Sequence, residues 1–162
     1  MAKAIRKSLP EAGQGGPVSD RTLRGFAGYN MKRAFNAVQA DLARTLEPFG
    51  LRMMTFTALV LVIDNPDLSQ TQLAGALAVE RSNLVVIIDD LEQAGLITRN
   101  PSPTDRRSHA LRATLAGRRL CERALQAVRA HEEKLLGGLG ENGAAALIAA
   151  LQTVEQGNRG GE

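Results

Sequence analysis

The spacing of apolar residues changes between positions 69 and 112, and that change constrains the fold more than any other feature of the chain. Ser69-x-x-Gln72 is a capping box, so a helix starts there, with Leu73, Ala74 and Leu77 on its apolar side. Ala78-Val79-Glu80 makes a short turn. A second helix follows over 81–93, with Leu84, Ile87, Ile88 and Leu91 on one arc and Gly95 placed just past its end. The helical period then stops. Residues 96–99 and 109–112 have strand character and flank a polar segment holding Pro101 and Pro103, which predicts a β-hairpin with a long tip.

The helix pair fits helix-turn-helix spacing, with small Ala74 where the helices cross and small Ala78 in the turn. On the second helix Ser82, Val86 and Asp89 face away from the buried arc, and Asn83 and Val85 flank them. Such side chains near a helix N-terminus suit a DNA major groove. A plain helical hairpin inside a bundle satisfies half of the same pattern. The charge distribution separates the two. Residues 99–119 hold six arginines (Arg99, Arg106, Arg107, Arg112, Arg118, Arg119) against one acid, Asp105, in a chain whose total is only +3. A basic hairpin beside a helix-turn-helix can lay Arg106 and Arg107 on phosphates, with Asp105 pairing a neighbouring Arg and fixing the tip.

The flanks are helical as well. Residues 20–47 read as one long helix capped by Asp20, roughly 40 Å in length, more than a small domain needs. Such a helix touches both its own domain and a partner subunit. Residues 52–64 are apolar on almost all sides and should be buried. Thr114 caps a helix to about 136, Gly137, Gly138 and Gly140 interrupt, and Asn142 caps a last Ala-rich helix. Residues 1–18 read as a flexible basic tail and 158–162 as a frayed end. With 44% apolar and 23% charged residues, the 162-residue chain is not a mainly disordered one. A single cysteine, Cys121, excludes a disulfide scaffold and fits a reducing compartment. No apolar run suits a membrane span or secretory signal, so the expected setting is cytoplasmic. His109 and His131 have no ligand-spaced companions, and no nucleophile–base set or phosphate loop appears. The expectation is no metal, no cofactor and no enzymatic activity.

Residues from about 51 to 117 resemble the MarR family of winged-helix repressors. The resemblance is carried by Ser69-Gln70-Thr71-Gln72-Leu73-Ala74, by Leu91-Glu92-Gln93-Ala94-Gly95-Leu96-Ile97-Thr98-Arg99, and by Thr104-Asp105-Arg106-Arg107 followed by Thr114-x-x-Gly117. It implies one mainly α domain over 19–157. The winged helix would occupy about 51–114, and helices over 20–48 and 115–157 would form a dimerisation region. It further implies a homodimer, repression through double-stranded DNA, and release by a small molecule bound between the two parts. One departure is plain. The family's recognition helix usually carries Thr and Arg where this chain has Asn83, Val85 and Val86, and Asp89, Asp90 and Glu92 make the helix acidic. Base readout would rest on Ser82, Asn83 and apolar contact of Val85 or Val86 with thymine methyls, and phosphate neutralisation on Arg81 and the wing. Rival readings are an architectural DNA-binding protein without an effector and a helical protein-interaction module.

All five aromatic residues lie between Phe26 and Phe56, together with Met31, Met53 and Met54. In the resembled family this region walls the effector cavity, which makes Phe26, Tyr29, Met31, Arg33, Met53 and Phe56 candidate effector contacts. Tyr29 and Arg33, one turn apart, suit a carboxylate or phosphate, and an aromatic acid or its CoA thioester is the expected ligand class. The alternative is that the aromatic residues are ordinary core or interface. Cys121 reads as a buried, inert thiol.

Overall fold

The computed structural model describes residues 18–101 and 109–159. The expected basic tail, the tip residues Asp105, Arg106 and Arg107, and the last three residues lie outside the described residues. In chain order the elements are a 3-10 turn (Leu23–Gly25), α1 (Ala27–Leu46), a 3-10 turn (Glu47–Phe49), α2 (Met53–Asp64), β1 (Leu68–Ser69), α3 (Gln70–Leu77), α4 (Arg81–Gln93), β2 (Ile97–Pro101), β3 (His109–Ala113), α5 (Leu115–Leu136), a 3-10 turn (Gly137–Leu139) and α6 (Gly143–Arg159). Two units result, residues 1–35 and 36–162.

In the first unit the expected helix start is corrected. The backbone turns extended at Phe26 (φ −107°, ψ 128°), so α1 begins at Ala27 and Asp20 is not its cap. Gly25 and Gly28 flank the break, and glycine costs a helix about 1 kcal/mol relative to alanine. Asn30 Nδ2 holds the break by donating to the carbonyls of Arg24 (2.8 Å) and Phe26 (2.9 Å). The Asp20 carboxylate instead accepts from Tyr29 Oη at 2.7 Å and Arg24 Nε at 2.8 Å.

The second unit is built around α2. Phe56, Ala58, Leu59 and Val62 of that helix are buried against Leu73, Leu84, Ile88, Leu91, Ile97 and Leu111. Its N-terminus is closed by Thr55, whose Oγ1 accepts from the Arg52 N–H at 2.9 Å. The sheet has order β1-β3-β2, antiparallel throughout, with Leu68 opposite Leu111 and Arg99 also opposite Leu111 from the other side. The two-residue strand β1 is an addition to the expected hairpin. Two residues cannot display a period of two, so the sequence pattern does not mark it.

The Thr114-x-x-Gly117 pattern acquires a physical cause at the start of α5. Thr114 donates its N–H to Leu96 O at 3.0 Å, and its Oγ1 accepts from Gly117 N at 2.9 Å. A Cβ on Gly117 would lie 2.1 Å from Leu96 O, so only glycine permits this approach of helix to loop. Further along, α6 runs over Gly143–Arg159. Leu147, Ile148, Leu151 and Val154 on α6 remain exposed. No single helix among the described residues is long and apolar enough to cross a membrane.

Candidate nucleic-acid interface

The interface begins at Ser69, which ends β1 and caps α3. Its Oγ accepts from Gln72 N at 3.2 Å, and its N–H donates to Gln72 Oε1 at 3.0 Å, completing the capping box. The chain then turns at Ala78, which adopts the left-handed conformation (φ 52°, ψ 45°). Val79 N–H donates to Ala74 O at 3.2 Å, and α4 leaves the turn from Glu80.

Burial of Leu84, Ile87, Ile88 and Leu91 fixes the roll of α4. That roll leaves all of the candidate reading residues exposed: Arg81, Ser82, Asn83, Val85 and Val86. The two valines are 42% and 58% exposed. A β-branched apolar pair on the open face of a helix does nothing for its own core, but it suits contact with thymine methyl groups.

The electrostatics differ from a simple count of charges. Arg99 on β2 is not a free wing cation. Its guanidinium pairs with Asp89 on α4, its Nε faces Glu92 Oε2 at 3.5 Å, and its backbone N–H donates to Glu92 Oε1 at 3.2 Å. Asp89, expected to face away from the buried arc with Ser82 and Val86, is therefore engaged by Arg99. Arg112 on β3 is likewise committed. Its Nε and Nη2 meet Asp67 Oδ1 and Oδ2 at 2.5 and 3.0 Å, which holds the Asp67 carboxyl below the usual carboxylate range. Asp67 lies 45 positions from Arg112, and no local spacing announces such a pair.

A cleft of about 990 Å³ opens beside the reading helix. Ala43 and Arg44 from α1, Met53 and Met54 from α2, and Asn83 and Val86 from α4 line it. It thus joins methionine side chains to two of the candidate base-reading residues. Of the expected effector contacts, Met53 lines this cleft, whereas Phe56 is buried in the core. Phe26, Tyr29, Met31 and Arg33 belong to the first unit. There Phe26 and Met31 are exposed. The Tyr29 hydroxyl is held by Asp20, which pushes it above its ordinary range, and Arg24 sits over the Tyr29 ring at 5.6 Å. Arg44, absent from the expected contacts, pairs with Asp41, which also accepts from His131 Nδ1 at 2.8 Å. Cys121 is 2% exposed, and burial pushes its thiol up. Among the described residues no group of three potential metal ligands occurs.

A capped helix, a left-handed turn, a second helix with an exposed polar N-terminal half and an antiparallel hairpin define a winged helix-turn-helix DNA-binding protein. The MarR family's model matches residues 51–109. A Thauera aromatica protein named for transcriptional regulation of the hcr operon is 33% identical over 132 residues, covering 81% of this chain and 80% of its own length. Among solved structures, the transcriptional repressor CouR bound to a 23-mer DNA duplex superposes with a TM-score of 0.82 at 36% identity, covering 86% of this chain and 99% of that one. CouR bound to p-coumaroyl-CoA gives 0.77 at 34% identity, covering 86% and 98%. The chain belongs to the MarR family and is a DNA-binding transcriptional regulator, not an enzyme.

Proposed function

We propose that this protein is a homodimeric repressor that binds a pseudo-palindromic operator in double-stranded DNA and is released by a small ligand. One observation carries the reading: Arg81, Ser82, Asn83, Val85 and Val86 are exposed on α4, while the opposite arc of the same helix is buried. Ser82 and Asn83 read base edges, Val85 and Val86 meet thymine methyls, and Arg81 neutralises phosphate. Arg106 and Arg107 add phosphate contacts from the wing. Asp105, beside them in sequence, is the acid available to pair with a wing arginine. The DNA-bound relative supports this assignment.

The dimer reading rests on apolar residues left open in both units: Phe26 just before α1 with Met31 and Phe35 on it in one, and Leu147, Ile148, Leu151 and Val154 on α6 in the other. A second copy covers each set. The ligand reading rests on the cleft, where Met53 and Met54 supply adaptable apolar wall and Arg44 and Arg52 supply charge for a carboxylate or phosphate. An aromatic acid or its CoA thioester fits that mixture, and the relative bound to p-coumaroyl-CoA supports it. A ligand there touches Asn83 and Val86, so occupancy and base reading act on one helix. Within the first unit, Phe26, Tyr29, Met31 and Arg33 remain separate candidate contacts for an aromatic or anionic ligand. As a DNA regulator, the protein works in the cytoplasm.

The test starts from a duplex selected out of a random library by the protein itself. Asn83→Ala should change sequence preference more than nonspecific affinity. Arg106→Ala with Arg107→Ala should weaken binding to all duplexes and reduce the salt slope by about 2. An unselective library, or an unchanged slope, overturns the reading. Titration of the selected complex with p-coumaroyl-CoA, p-coumarate and free CoA then tests the ligand class, with release expected for an aromatic ligand and none for CoA alone.

A further inference from the structure

The acids of α4 pose a problem for any helix that enters a DNA groove. After Arg81 the helix carries no further cation, whereas Asp89, Asp90 and Glu92 are all acidic. Carboxylates beside phosphates are repelled, and the repulsion is long-ranged at low salt. Asp89 and Glu92 are turned toward strand β2, and the side chain that receives both is Arg99. That side chain is only 28% exposed, against 43% for Asp89 and 40% for Glu92. Its Nη2 is committed to Asp89, and its Nε, 3.5 Å from Glu92, is buried and so not offered to a phosphate. Its backbone N–H adds a bond to the same Glu92 at 3.2 Å, so β2 is fastened to the C-terminal half of α4 by main chain and side chain together.

We infer that Arg99 is a positioning residue for DNA binding: it holds Asp89 and Glu92 toward β2 and neutralises their charge on the helix that meets DNA. The role rests on the DNA-binding reading above but does not follow from it. A basic wing alone would put Arg99 on phosphate, and the geometry puts it on carboxylates. The positive charge counted beside the helix, six arginines against one acid, thereby includes one cation whose work is done inside the protein.

The test uses the full-length protein and two duplexes, one selected by the wild type from a random library and one of unrelated sequence. Selection by the wild type establishes DNA binding independently, so its failure would strike the DNA-binding reading and leave the Arg99 assignment separately identifiable. Arg99→Gln should weaken binding to both duplexes about tenfold at low salt, with the loss shrinking as salt rises and screens the exposed acids. Adding Asp89→Asn and Glu92→Gln to Arg99→Gln should restore affinity to within about threefold of wild type. Arg99→Lys, which keeps the charge and loses the fork, should fall between. Wild-type affinity in Arg99→Gln overturns the inference, and so does a triple variant no better than Arg99→Gln, which would reduce Arg99 to a brace of the sheet. Should Arg99→Gln fail to fold by circular dichroism, Asp89→Asn with Glu92→Gln in the Arg99 background carries the test. It should tighten nonspecific binding several-fold, because it removes negative charge and frees Arg99, and unchanged binding overturns the inference.

Discussion

The winged helix and the last helix bury their apolar residues to opposite degrees. From Leu59 to Leu111, Val85 and Val86 apart, the large aliphatic side chains of α2, α3, α4 and the sheet close on one another, with Leu59, Leu73, Ile88 and Leu111 fully buried. On α6, Leu147, Ile148, Leu151 and Val154 are 39–58% exposed. The same residue types therefore complete a core in one region and leave a face open in the other. The winged helix closes its apolar side chains into a core, whereas α6 has an apolar stripe that only another surface can remove from water. This division suits a regulator in which the DNA-reading part is a fixed body and the helices around it serve assembly.

That contrast can be broken most forcefully inside the closed core. Ile88→Ala should cost about 4 kcal/mol in chemical denaturation, since a fully buried side chain leaves a cavity beneath the reading helix. Gly117→Ala should cost about 3 kcal/mol, because the added methyl meets the Leu96 carbonyl and not a yielding side chain. A melting curve like that of the wild type for either variant would contradict the close packing described here. On the open face the expected outcome is different in kind. Ile148→Ser with Leu151→Ser should leave the helical content intact and weaken self-association at least tenfold in sedimentation, as expected when apolar anchors of an interface are lost. Unfolding in place of dissociation would show that α6 belongs to the core after all.

Smaller effects sharpen the same boundary. Ala78→Gly should stabilise the protein by about 0.5–1 kcal/mol, since Ala78 holds a left-handed conformation that glycine adopts without strain. The smallest effect concerns acid. Arg112 holds the Asp67 carboxyl below its ordinary value, so the pair contributes stability above about pH 4 that is lost as pH falls through the folded value. Asp67→Asn keeps a residue tolerant of the left-handed backbone at φ 66°; it should lower the neutral plateau slightly and flatten the acid limb of the stability profile by the same amount.

Much of the interface was legible because it is local. The Ser69–Gln72 capping box, the small residue at Ala78, the buried arc of α4 and the Gly95 stop each occupy a few neighbouring positions, and each is found in the structure. What escaped is non-local. The pairing of Arg112 with Asp67 spans 45 positions, and Arg99 reaches Asp89 across the end of α4. Opposite charges that far apart carry no period, so counting arginines overstated the free positive charge beside the reading helix. The N-terminal helix was misjudged for another reason. Leu23, Ala27 and Met31 keep a four-residue spacing across this point, but Gly25, Gly28 and the Asn30 amide favour a break there.

The sequence by itself determined the order of helices and strands, the face of α4 that is buried and the family to which the chain belongs, because capping, turn chemistry and periodicity are properties of adjacent residues. Only the tertiary structure decided which charges are free. Whether an arginine meets a phosphate or a carboxylate depends on which strand lies across which helix, and that is settled by the packing of the whole core.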